Sequence, residues 1–71
     1  MQVQTYDLDG RPEAVADLYT DDQAQLWLDG APVLAVTLTG PTVMLTLPGR
    51  LVLLAFADYH RLFAYGTFID V

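Results

Sequence analysis

Gln23-Ala24-Gln25-Leu26-Trp27-Leu28-Asp29-Gly30-Ala31-Pro32-Val33-Leu34-Ala35-Val36-Thr37-Leu38-Thr39-Gly40-Pro41-Thr42-Val43-Met44-Leu45-Thr46-Leu47 is the stretch on which the fold turns. Residues 23–29 alternate, with Ala24, Leu26 and Leu28 on one face and Gln23, Gln25, Trp27 and Asp29 on the other. Residues 33–38 place Leu34, Val36 and Leu38 inward, and Ala35 and Thr37 outward. From 42 onward Val43, Leu45 and Leu47 face in, while Thr42, Met44 and Thr46 face out. Side chains of a strand point alternately to its two faces, so each segment reads as a half-buried strand. Asp29-Gly30 and Gly40-Pro41 are turn dipeptides, and the three segments they join predict an antiparallel meander.

Outside this stretch, Asp9-Gly10, Asp21-Asp22 and Pro48-Gly49 continue the same cadence of turns. Residues 2–8 and 14–20 read as strands, although Pro12-Glu13-Ala14 would also suit the first turn of a helix. Residues 51–65 are apolar on both faces. Their Val, Phe and Tyr content, with no N-cap before Leu51, favours a doubly buried strand, a turn near Asp58-Tyr59-His60 and a final strand over 61–70. The alternative is a single helix ending at Gly66. The expected fold is therefore all-β: one domain over 1–71, a small antiparallel barrel or sandwich of about 6–7 short strands. An α+β fold with a helix near 51–65 is the alternative.

A chain of 71 residues has a marginal core, because a small domain buries the smallest share of its unfolded surface. Small folds add disulfides, metals or oligomeric interfaces. There is no Cys, and His60 is the only imidazole, which excludes a disulfide and leaves no zinc ligand set. Ala, Val, Ile, Leu, Met, Phe, Trp and Gly together supply 39 of the 71 residues, above the usual share. Such a surplus in so small a domain implies an apolar surface patch, hence self-association or a permanent protein partner.

The formal charge is −6, from eight Asp and one Glu against Arg11, Arg50 and Arg61. Three scattered arginines make no basic stripe, so neither nucleic acid nor an anionic membrane surface is an expected partner. The Asp residues suit turns and keep an apolar chain soluble. Lys, Asn, Ser and Cys are all absent, which fits a GC-rich genome: bacterial, archaeal or viral. The first residues carry no basic and apolar leader, and Leu51–Ala57 is an apolar run far shorter than the ~20 residues of a spanning helix. The expectation is a product not exported by a signal peptide, located in a virion, or in the cytoplasm if host-encoded.

Candidate chemistry is sparse. A nucleophilic enzyme needs Ser, Cys, Thr or Lys beside a base, and here seven Thr share one His. His60 reads as an exposed or capping histidine. Asp7 with Asp9, and Asp21 with Asp22, are the close carboxylate pairs, and both read as turn residues. Asp7-Leu8-Asp9-Gly10 opens like a calcium loop without its later ligands. No cofactor, metal or catalytic residue is expected.

The aromatic and Met side chains carry more information. Trp27 and Met44 lie on outward faces, and Tyr59, Phe63, Tyr65 and Phe68 lie in the aromatic C-terminal third. These residue types are enriched in interface cores, so all six are candidate interface residues. The expected function is a non-enzymatic assembly subunit, of the kind found as a small phage virion protein (capsid decoration or minor capsid protein), with copies of itself or shell subunits as partners. The alternative is a small acidic module that binds one protein partner.

Overall fold

The computed structural model describes the backbone of residues 1–68 and the side chains of residues 1–63. The strands are β1 (Gln2–Tyr6), β2 (Pro12–Thr20), β3 (Leu26–Leu28), β4 (Ala31–Pro32), β5 (Ala35–Thr39), β6 (Thr42–Leu47) and β7 (Arg50–Ala55); α1 (Phe56–Phe68) follows. All strand pairs are antiparallel, in the order β4-β3-β2-β1-β7-β6-β5, and the sheet curls into a half-barrel. The all-β small-barrel expectation holds, with one C-terminal helix added.

Turn chemistry sets the register. Asp29 (φ 48°) and Gly30 (φ 84°) are both left-handed, the two-residue hairpin loop whose twist matches the flanking strands, and they align Leu28 with Ala31. Two longer turns are built alike. The Asp7 carboxylate accepts the N–H groups of Asp9 and Arg11, each at 2.9 Å, and the Asp21 carboxylate accepts those of Gln23 and Gln25, each also at 2.9 Å. Both aspartates thus act locally on their own turns. The fourth residue of each turn is left-handed: Gly10 (φ 85°) in the first, Ala24 (φ 63°) in the second. Ala24 therefore lies in a turn, not on the inward face of a strand that begins at Gln23. Pro12 begins a strand, not a helix.

The concave face holds the core. Val3, Ala16, Leu18, Leu26, Leu28, Val43, Leu45, Leu47 and Val52 are buried together, with Leu62 reaching in from α1. The buried hydroxyl of Thr5 donates to the Ala14 carbonyl at 3.1 Å, so this polar group enters the core satisfied.

The two edge strands, β4 and β5, are separated in the chain only by Val33 and Leu34. Val33 donates its N–H to the Leu26 carbonyl (3.0 Å), and Leu34 donates to the Thr46 carbonyl (2.8 Å). One strand thus leaves β3 and joins β6 within two residues. Thr46 has Ala35 as its register partner, so the Leu34 bond is offset in the manner of a β-bulge, which bends the strand at the changeover.

Residues 56–68 correct the expectation of a turn at 58–60 and a final strand over 61–70 in favour of the alternative helix, which begins at Phe56 and runs past Gly66. Positions 69 and 70 of the expected strand lie outside the described residues. β7 ends at Ala55, and Phe56, Tyr59, Leu62 and Phe63 then recur at the three- and four-residue spacing of one helical face. Tyr59 and Phe63 meet edge to face with centroids 4.9 Å apart. Phe56 donates its otherwise unpartnered N–H to the Pro41 carbonyl (2.8 Å), which ties the helix start to the β5–β6 turn. Asp58, in the first turn, is favourably placed in the helix dipole. The helix packs on β2, β6 and β7 and covers part of the concave face.

Candidate functional site

Every residue of β5 is exposed. Val36 and Leu38 lie opposite Leu45 and Val43, two fully buried residues, and so occupy the concave face as the sequence indicates. The cover stops short of them. Leu34, Val36 and Leu38 are 63%, 41% and 61% exposed, against 0% for Leu45. For Val36 and Leu38 the direction matches the expectation and the burial does not, because α1 packs on β2, β6 and β7. Leu34 precedes the strand, and the buried residue at that point is its neighbour Val33.

Beside this row lies a cleft of about 250 Å³, bounded by Leu26, Val33, Leu34 and Val36 on the sheet and by Tyr59 and Phe63 on the helix. Gln25 brings an amide to its rim, whose Nε2 is committed to the Leu26 carbonyl at 2.9 Å. The cleft adjoins the exposed row, and its surface is mixed polar and apolar. No charged residue occurs from Ala31 to Gly49, so the whole β5–β6 hairpin is neutral in a chain of net charge −6.

The six candidate interface residues divide among different places. Tyr59 and Phe63 line the cleft from a helix, not from strands. Met44 is half-buried on the convex face, between Thr37 and Leu53. Trp27 is also half-buried on the convex face, paired across strands with Tyr19 and Pro32. Its indole Nε1 donates to Oδ2 of Asp21 at 2.9 Å. That bond first, and the Gln25 amide second, hold the Asp21 carboxyl below the ordinary carboxylate range. Tyr65 and Phe68 lie outside the residues whose side chains are described.

His60 is exposed on α1 with its ring 6.3 Å from that of Phe56. Among the described residues no three His, Cys, Asp or Glu side chains converge as a metal site would require, and no helix is long and apolar enough to cross a membrane. The residues that sequence reasoning missed are Leu34, Val36 and Leu38. The signal was present as the charge-free run from 31 to 49, which lacks the Lys guard of an ordinary edge strand. Comparison with protein-family models, curated proteins and solved structures finds no match to this chain.

Proposed function

We propose that this protein is a non-enzymatic assembly subunit that works by contact in many copies, of the type represented by small virion proteins such as capsid decoration or minor capsid proteins. The observation that carries this reading is the neutral β5 edge, with Leu34, Val36 and Leu38 open to solvent beside a cleft. Apolar side chains left on a sheet edge cost solubility and serve association. Each copy would stabilise the assembled state through mass action, since contacts made only in the assembly shift the equilibrium toward it.

Light scattering over a concentration series tests the reading. The expected result is a mass that rises above the 7.8 kDa of one chain with concentration. A mass fixed at 7.8 kDa into the millimolar range overturns it. The virion assignment also expects a fixed stoichiometry with the shell subunit in purified particles, measured by quantitative mass spectrometry; a trace, variable amount overturns that part.

A further inference from the structure

We infer that two copies pair through their β5 edges, antiparallel and about a two-fold axis at Thr37, so that their sheets become continuous. This rests on the assembly reading above and names its contact.

Thr39 and Thr42 close a two-residue turn and form a hydrogen-bonded pair, so Thr39, Thr37 and Ala35 direct their backbone groups toward β6. Val36 and Leu38 therefore direct theirs to the other edge, where among the described residues no strand pairs with them. The same two residues carry the exposed concave-face side chains. One short segment thus presents free donors and acceptors together with apolar side chains, which is what strand addition requires.

A second copy is the occupant that fits. From Val33 to Thr39 there is neither a charge nor a proline to block an edge. A basic foreign partner would be drawn to the carboxylates, whereas neutral strip against neutral strip brings no like charges together at the contact. The segment Ala35-Val36-Thr37-Leu38-Thr39 is also close to symmetric about its centre. A two-fold there sets Val36 against Leu38 of the second copy on the concave face, and Ala35 against Thr39 on the convex face. A five-residue strand pair buries less than the ~800 Å² per partner of a standard interface. The pairing is consequently concentration-dependent when alone, and strengthens wherever other contacts hold the copies in place.

In this register Thr37 faces its own copy as a non-hydrogen-bonded pair, with Cα atoms about 4.5 Å apart, within disulfide reach. The chain has no Cys, so Thr37→Cys introduces a single thiol. Mild oxidation of concentrated protein should cross-link Thr37→Cys at least about 10-fold faster than Ala35→Cys, whose thiols lie several residues apart in the same register. Adding Val36→Lys should abolish the difference. In the unaltered chain, the Val36 and Leu38 amides should gain hydrogen-exchange protection as concentration rises. Equal cross-linking at positions 35 and 37 reports random collision and overturns the pairing. Protection of both amides while the mass stays at 7.8 kDa places another segment on the edge and also overturns it. Oligomers that form without cross-linking at 37 refute this contact and leave the assembly reading intact, whereas a fixed monomer mass refutes both.

Discussion

Trp27 and Asp21 are joined by a 2.9 Å hydrogen bond from the indole Nε1 to Oδ2, while the other carboxylate oxygen, Oδ1, accepts the amides of the β2–β3 turn. One carboxylate therefore fastens both its own turn and the neighbouring aromatic. These bonds favour the ionised form, so the folded-state pKa lies below the unfolded value of about 3.8–3.9. The stability contributed is fully present above that unfolded value and is lost as pH falls through the lowered folded value. Trp27 is the only tryptophan, so its fluorescence should report the titration directly. Asp21→Asn should remove this acid transition from the emission profile and lower the urea midpoint at neutral pH. An unchanged emission profile in Asp21→Asn would break the assignment.

Ala24 occupies the left-handed position that Gly10 fills in the matching turn. A Cβ in that conformation costs roughly 1–2 kcal/mol, and glycine recovers part of this while adding freedom to the unfolded chain. Ala24→Gly is expected to stabilise the protein by about 0.5–1 kcal/mol in urea melts. A destabilised variant would mean that the Ala24 methyl makes contacts outweighing its backbone strain.

The reverse substitution tests the β3–β4 turn. Gly30 has φ 84°, and a Cβ built there meets nothing within 4 Å. Space is not the constraint, so Gly30→Ala isolates the conformational term, expected at about 1–2 kcal/mol of destabilisation. Chemical denaturation measures it, and a neutral result would show that the turn relaxes to another type.

How far the fold could be read depends on where local pattern and tertiary cover agree. Val43, Leu45 and Leu47 alternate with Thr42, Met44 and Thr46, and all three inward residues are buried. Leu34, Val36 and Leu38 show the same alternation, yet burial also needs a neighbour on that face, which periodicity cannot report. The helix was legible only as the alternative over 51–65, for a different reason. From Leu51 to Ala57 the chain is apolar at every position, so the period has nothing to mark it, and only the spacing of Phe56, Tyr59, Leu62 and Phe63 reveals the change. Trp27 was legible as outward-facing, whereas its bond to Asp21 depended on a turn that returns the carboxylate to the strand six residues later.

Leu45 and Leu38 share the concave face two strand registers apart, and comparing them separates folding from association. Leu45 is fully buried between β5 and β7, so Leu45→Ala removes contacts that cannot be replaced and should cost about 2–5 kcal/mol. Leu38 is 61% exposed, so Leu38→Ser should change the unfolding free energy of dilute protein in urea melts by no more than about 0.5 kcal/mol. At high concentration the order reverses. Leu38→Ser should reduce the average mass seen by light scattering, because its side chain stabilises only the associated state. If Leu38→Ser instead destabilised dilute protein as strongly as Leu45→Ala, the β5 row would belong to the monomer core. The neutral edge would then have lost its claim as a contact surface.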